Sequence, residues 1–472
     1  MTPDEFRTAG HELIELIASY REEVGDYPVR SQAKPGDLLS DLPDAPPVEG
    51  ESVESIVNDL KQLVVPRMTH FQHPAFYGYF PSNGDLSSVL GDLVSSGFGQ
   101  LGLNWQSSPP LTEMEDKMCD WLRQMLGLSD QWSGVIQDTA STSTLLALLC
   151  AREKCSSHGQ TRNGLRDQVE MMVYSSEQAH SSIDKAALLA GFGRNQIRSC
   201  KVHDDYSVDV DDMRRLMQSD LDAGKKPCAI VACTGTTATT AMDNIEGLAT
   251  LAQEFNCWLH VDAAMAGSAM ILPEMRHLWA GVELSDSIVF NPHKWLGCVF
   301  DCSVYYVRDV QHLVRVMSTN PSYLHTAADS EAKNYRDWGI PLGRRFRAMK
   351  LWWLIRSEGI EQLQMRLRRD ISNARWLEKQ IESQPDWKLV APVSLQTLCV
   401  IHAPDDLDGE ALNDHTKTWC EAINASGKAM LTPAMPDKQW MVRVSIGSLN
   451  TERSDVEALW QLMRFHVEGH GP

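Results

Sequence analysis

No run of about 18 consecutive apolar residues occurs in this chain of 472 residues, so nothing in it reads as a bilayer-spanning helix. No block of lysine and arginine interleaved with aromatics occurs either. With a formal net charge of -20 the chain would repel a phosphate backbone, which argues against nucleic acid as a partner. The eleven cysteines are scattered singly, Cys298 and Cys302 being the closest pair, and none falls in a Cys-x-x-Cys or a Cys/His cluster of zinc spacing. They read as reduced thiols of a cytoplasmic protein without a structural metal. Internal repeats and low-complexity tracts are absent. The opening Met1-Thr2-Pro3-Asp4-Glu5 is acidic, where a secretory signal would be basic and then apolar. The glycosylation pattern Asn424-Ala425-Ser426 matters only in a secreted protein.

What is present is an ordinary globular composition, 43% hydrophobic and 22% charged. The length suits two packed domains plus an arm. Phe6, Leu13, Ile14, Ile17 and Tyr20 follow helical spacing over residues 2–24, and Thr2 with Glu5 is placed as a capping box with Pro3 in the first turn. Residues 29–50, rich in Pro, Asp and Ser, read as an extended connector. We take residues 1–84 as a helical N-terminal arm packing on a partner subunit. From 85 to 355, apolar runs at 134–137, 170–174, 228–233, 257–261 and 287–290 alternate with helical stretches, the pattern of a mostly parallel sheet covered on both faces. The run at 302–307 follows too closely for a helical crossover and predicts one antiparallel strand. From 356 to 472 a long helix around 363–381, strands near 398–401 and 440–446 and a closing helix predict a small C-terminal α+β domain.

In an open parallel sheet ligands bind at the carboxyl ends of the strands, so the residues just beyond each apolar run carry the functional information. Four such ends stand out. Gly134-Val-Ile-Gln-Asp-Thr-Ala-Ser-Thr-Ser-Thr144 leads into a helical stretch at 145–152. A turn of small hydroxyl residues at a helix start suits a phosphate, and suits plain N-capping equally well. Glu177-Gln-Ala-His-Ser-Ser182 offers His180, either a solvated histidine or an imidazole lying flat on an aromatic ring. Trp258-Leu-His-Val-Asp-Ala-Ala264 ends its run in Asp262, a carboxylate that is costly to bury unless it meets a cation or a donor. A protonated pyridine nitrogen is one such partner, neighbouring backbone N–H groups another. Asn291-Pro-His-Lys-Trp295 sets Lys294 between His293 and Trp295 at the mouth of a buried strand. Desolvation there favours the neutral amine of a Schiff-base nucleophile, the alternative being a surface lysine. Cradle, histidine, aspartate and lysine arrive in the order and at the strand ends that a bound pyridoxal 5′-phosphate needs.

His180-Ser-Ser, His260-Val-Asp-Ala-Ala, Asn291-Pro-His-Lys-Trp and Leu342-Gly-Arg-Arg-Phe-Arg347 make the chain resemble the group II pyridoxal-phosphate-dependent decarboxylases along nearly its whole length. Within them it is similar to bacterial aromatic-L-amino-acid (DOPA) decarboxylases. The resemblance implies an α/β fold-type I transferase, aspartate aminotransferase-like, with a mostly parallel seven-stranded-type sheet, and a homodimer with active sites at the interface. It implies Lys294 as the Schiff-base lysine, Asp262 on the pyridine nitrogen and His180 stacked on the ring. Thr139, Ala140, Ser141 and Asn291 match phosphate-binding positions, Thr237 a residue near the phenolic oxygen, Ala264 one packing on the ring, and His293 a further cofactor contact. Asn320-Pro-Ser-Tyr-Leu324 opens a stretch to about residue 333 that resembles the family's catalytic loop, with Tyr323 as the proton donor to the substrate carbon. Phe71, Tyr79, Phe80, Ser82 and Gly343 match the substrate pocket, with Leu101 and Leu103 expected from the partner subunit. Family members often carry Trp, Thr and Phe where this chain has Phe71, Ser82 and Leu103.

The implied reaction is decarboxylation of an aromatic L-amino acid (DOPA, tryptophan, 5-hydroxytryptophan, tyrosine or phenylalanine) to its amine. The rival is an aromatic aldehyde synthase, which shares every cofactor residue but releases ammonia and peroxide; relatives with Phe at the position of Tyr323 tend that way. Arg443, in Met441-Val-Arg-Val444, is either a carboxylate ligand or part of a salt bridge.

Overall fold

The computed structural model describes residues 1–165, 169–319 and 331–467. They fall into two compact units, one of Ser82–Ile371 with Ala391–Thr397, the other of Met1–Pro81, Ser372–Val390 and Leu398–Pro472. The expected boundaries were 84/85 and 355/356. The large unit in fact continues to Ile371, and the first 81 residues group with the C-terminal segments of their own chain. The physical reason lies in residues 29 and 70–80. Val29, Phe76 and Met430 form one buried apolar cluster. The N–H groups of Val29 and Tyr77 donate to the carbonyls of Gly427 and Met430 at 2.8 and 2.9 Å, and that of Ser445 donates to Tyr77 at 3.0 Å.

The large unit is built on strands β1 (Ser133–Gln137), β2 (Met171–Ser176), β3 (Ile197–Cys200), β4 (Lys226–Cys233), β5 (Trp258–Asp262), β6 (Ser287–Phe290) and β7 (Ser303–Val307), in the order β1-β7-β6-β5-β4-β2-β3. β7 runs antiparallel to both of its neighbours and the other pairs are parallel. The carboxyl ends of β1, β6, β5, β4 and β2 therefore lie along one edge of the sheet. This is the expected seven-stranded α/β arrangement, antiparallel strand included. β3 was not foreseen. It is a half-exposed edge strand with too little apolar character to read as one.

Helix Ala140–Cys155 runs from that edge through the core. Leu146, Ala147, Cys150 and Ala151 pack with Val173, Ala229, Val231 and Val307 in the main cluster. Having little polar face, it is buried along most of its length, which carries its N-terminus down to the strand ends. β1 is tied to the rest by a buried ion pair. Glu115, on helix Pro109–Leu126, accepts from the Ile136 N–H at 2.8 Å and pairs at both oxygens with Arg344, whose guanidinium also donates to the Ile136 carbonyl at 2.7 Å.

The second unit opens with helix Pro3–Glu23, whose capping box of Thr2 and Glu5 forms as its sequence predicts. Its sheet takes the order β10-β11-β9-β8, from β8 (Trp387–Leu389), β9 (Thr397–His402), β10 (Thr432–Ala434) and β11 (Met441–Ser445). β8 and β10 are three-residue edge strands, and Pro433 is tolerated because β10 is an edge. Trp387 packs edge-on against Trp419 and Trp460 at 5.7 and 5.0 Å between centroids.

Glu115→Ala leaves Arg344 buried with no carboxylate to accept its two hydrogen bonds. We expect a loss of about 3–5 kcal/mol in denaturant unfolding, with much of it recovered when Arg344→Met removes the stranded charge.

Candidate active site

Each of the four sequence-flagged ends of β1, β2, β5 and β6 opens onto the shared edge. At the end of β1, Thr139 is the N-cap residue of helix Ala140–Cys155, yet its side chain makes no capping hydrogen bond to the helix. Its own N–H is taken by Asp138 at 2.6 Å, and the first backbone donor to bond back to it is Ser143, at 3.2 Å to the Thr139 carbonyl. The N–H groups of the first turn, the exposed Ser141 and the positive end of the helix dipole thus face one point, the arrangement that binds phosphate. Plain N-capping, the other reading of this turn, does not occur.

β5 lies between β4 and β6 with Asp262 in register with Cys233 and Val289. Its carboxylate is buried and accepts the Ala264 N–H at 3.0 Å, while its main-chain carbonyl takes the Thr234 N–H at 2.9 Å. Past β6, Asn291 is buried, and its Oδ1 has no hydrogen-bond partner among the described residues. The Asn291 N–H donates to Ala264 at 2.9 Å and its carbonyl accepts from Lys294 at 3.0 Å, so the β5 and β6 ends are cross-tied and the lysine backbone is fixed to both. Lys294 itself is half-buried. His293 is buried beside it and accepts the Cys302 N–H at Nδ1, 2.9 Å; burial first, and the neighbouring Lys294 charge second, push its pKa down to about 4.

His180, beyond β2, joins these groups. Its Nδ1 accepts the Ser182 N–H at 3.1 Å and lies 2.7 Å from the Ser182 hydroxyl. A backbone N–H only donates, so the neutral ring carries its proton on Nε2. The imidazole is partly exposed, and its pKa is held below the ordinary histidine value by partial desolvation, with Asp262 opposing that shift and Lys294 adding to it. One imidazole therefore senses a carboxylate from the end of β5 and an ammonium from beyond β6. That coupling brings together three of the residues singled out in the sequence.

The end of β4 is held by a residue the sequence did not flag. Asp243 accepts the N–H groups of Val208 and Cys233 at 2.8 and 2.7 Å, and complete burial pushes its pKa up to about 6. Beyond it the threonine turn closes on itself through Thr236, whose Oγ1 accepts the Ala241 N–H and meets Thr239 at 3.0 Å, leaving Thr237 exposed. The spacing of Ser182 two residues after His180 would have suggested its contact. No local pattern marks Asp243, whose Val208 partner is 35 residues away.

Other expected residues lie elsewhere. Leu101, Leu103 and Gly343 share a second locality of the large unit. A Cβ on Gly343 would stand 3.1 Å from the Leu101 side chain, and Gly102 bonds the Arg344 carbonyl at 3.0 Å. Ser82 is half-buried at the start of that unit. Phe71, Tyr79 and Phe80 belong to the other unit. Phe71 stacks on Tyr79 at 6.4 Å, and the buried Arg443 guanidinium lies over the Phe80 ring at 4.9 Å. Tyr323 and most of the expected catalytic loop fall outside the described residues.

The residues present fit pyridoxal 5′-phosphate: an N–H cradle past the end of β1, the unpartnered Asn291 oxygen past the end of β6, a buried carboxylate for a protonated ring nitrogen, and an amine for an aldehyde. The chain matches the pyridoxal-dependent decarboxylase conserved domain over residues 35–401. It is 35% identical to tyrosine decarboxylase 1 of Narcissus pseudonarcissus over 99% of this chain and 93% of that one. It is also 35% identical to a phenylacetaldehyde synthase of Arabidopsis thaliana, over 98% and 96%. Its structure matches an Oryza sativa TDC solved with PLP and tryptamine at a TM-score of 0.97 and 33% identity, covering 100% of this chain and 99% of the other.

The coupling of His180 is measurable without any ligand. Its imidazole, followed by NMR, is expected to titrate below 6.5. Lys294→Met should raise the midpoint by removing a like charge, and Asp262→Asn should lower it further. Midpoints that ignore both substitutions would place the three groups too far apart to act together.

Proposed function

The chain belongs to the pyridoxal-dependent decarboxylases, and from that membership we propose that it decarboxylates an aromatic L-amino acid to the corresponding amine, with pyridoxal 5′-phosphate as cofactor. DOPA, tryptophan, 5-hydroxytryptophan, tyrosine and phenylalanine are the candidate substrates. The observation that carries the reading is that Asp262 and Lys294 both lie within electrostatic reach of His180, the three residues standing at three strand ends of one sheet edge whose helix N-terminus keeps donors that its own cap leaves available.

Bound pyridoxal 5′-phosphate supplies the electron sink for the pair released when the bond from Cα to the carboxylate breaks. Thr139, Ala140, Ser141 and Asn291 would hold the phosphate, with the neutral His293 as a further cofactor contact. Asp262 would pair with the ring nitrogen and keep it protonated. Ala264 and His180 would pack against the ring, and Thr237 would serve the phenolic oxygen. Lys294 provides the anchoring amine. With Ser182 occupying Nδ1, His180 presents Nε2–H as a donor that orients the substrate carboxylate. Tyr323 delivers a proton to Cα after carbon dioxide has left, which excludes oxygen chemistry at that carbon. The family resemblance assigns Phe71, Tyr79, Phe80, Ser82 and Gly343, with Leu101 and Leu103 of a second subunit, to the side-chain pocket.

A homodimer accords with helix Leu86–Phe98, which exposes Leu86, Leu90 and Leu93 at one-turn spacing, and with the exposed Phe98 and Leu101 beyond them. A cytoplasmic setting accords with eleven free cysteines.

Lys294→Ala is expected to abolish carbon dioxide release and to remove the visible absorption that borohydride bleaches in the wild type; normal turnover by this variant would sink the assignment. Tyr323→Phe should divert product from amine to aldehyde, with peroxide and ammonia appearing in step. An unchanged amine yield under oxygen would remove Tyr323 from the proton-donor role and reopen the aldehyde synthase reading.

A further inference from the structure

Lys294 stands on a single helical turn, Pro292–Leu296, and both residues after the lysine are gripped from outside. The indole N–H of the fully buried Trp295 donates to Oδ2 of Asp370 at 2.9 Å, and Arg366 donates to the Leu296 carbonyl. Helix Ala348–Glu382 is broken at Gly359, and Arg366 and Asp370, four residues apart in the segment after the break, share one face of it. The turn ends at Gly297 in the left-handed region, φ +94°, where a Cβ would lie 2.7 Å from the Arg366 guanidinium; only glycine allows that approach. The Gly297 carbonyl accepts the Asp85 N–H at 2.9 Å, which closes the far side.

Asp370 is fully buried, and beyond Trp295 it bonds Arg369 at 3.2 Å. Apolar packing would hold a tryptophan in such a place at lower cost than a desolvated carboxylate. A hydrogen bond adds direction. It fixes the rotation of the indole and, through the short link between neighbouring residues, the orientation of the turn that carries the lysine.

We propose that Asp370 is a positioning residue for Lys294: acting through Trp295, it sets the turn so that the lysine amine meets an aldehyde carbon in bonding geometry. This rests on the reading of Lys294 as the anchoring amine. In that bond-forming step Nζ attaches to the aldehyde carbon and the aldehyde oxygen leaves as one water with two protons from the amine.

The test uses the full chain freed of cofactor, as wild type, Trp295→Phe, Asp370→Leu, Asp370→Asn and the double variant Trp295→Phe/Asp370→Leu. The rate of bonding to pyridoxal 5′-phosphate is followed by the rise of visible absorption. Affinity for pyridoxamine 5′-phosphate, which has the same ring and phosphate but no aldehyde, is followed by calorimetry. We expect Trp295→Phe and Asp370→Leu to bond roughly tenfold more slowly while binding the pyridoxamine form within about twofold of wild type. Asp370→Asn, which keeps an acceptor oxygen, should stay within about twofold on both measures, and the double variant should be no slower than either single one. Bonding at the wild-type rate in Trp295→Phe would overturn the proposal, and that variant suffices if Asp370→Leu does not fold. So would equal losses for both ligands, Asp370→Asn as slow as Asp370→Leu, or losses that multiply in the double variant. A wild type that does not bond at all, or Lys294→Ala bonding normally, would instead defeat the assignment of Lys294.

Discussion

A carboxylate buried at the end of a central strand needs positive charge or hydrogen-bond donors around it, and Asp262 imposes that need on the site. Among the described residues its carboxylate takes the neighbouring Ala264 N–H, and its charge acts on His180, as does that of Lys294. The strand cannot shift to relieve it, because β5 is paired on both sides and Asp262 is locked in register with Cys233 and Val289. A one-residue slip would turn the carboxylate to the opposite face of the sheet. The burial of one acidic group thus dictates what stands at the ends of the adjacent strands.

The supporting residues make that edge rigid. Asp243 holds the end of β4 through two backbone N–H groups, the Asn291 and Ala264 backbones tie β6 to β5, and Trp295 and Leu296 secure the lysine turn to a long helix. Asp243 and Asp370 are both fully buried with pKa values pushed up to about 6, and each is used as an acceptor for a group that orients something else. Groups that face a reactant do their work only if their own backbones do not move, and here two buried carboxylates, Asp243 and Asp370, supply part of that support as acceptors.

Much of this was legible in the chain. The apolar runs located β1, β2, β4, β5, β6 and β7 to within a residue or two, and the polar residues beyond them, Thr139, His180, Asp262 and Lys294, share one edge and form the candidate site, because a parallel sheet presents its strand ends in common. β3, β8 and β10 escaped detection for a shared reason: as short edge strands they bury little, and hydrophobic pattern is the signal of burial. The N-terminal arm was recognised as helical, but its grouping with residues 372–390 and 398–472 depends on the fit of Val29 and Phe76 to Met430, about 400 residues away for Val29 and somewhat less for Phe76.

By itself the sequence determined the class of chemistry, since a cradle, an imidazole, a carboxylate and an amine placed after successive apolar runs suit one kind of cofactor. It also determined the helix cap at Thr2 and the antiparallel last strand, which follow from spacing within a few residues. The tertiary structure alone decided that the Thr139 side chain leaves the cradle donors available, that His180 feels both Asp262 and Lys294, and that Asp370 reaches Trp295 across 75 positions. Those facts depend on distances between groups remote in the chain, and such distances are set by how helices and strands pack, which no local pattern of residues encodes.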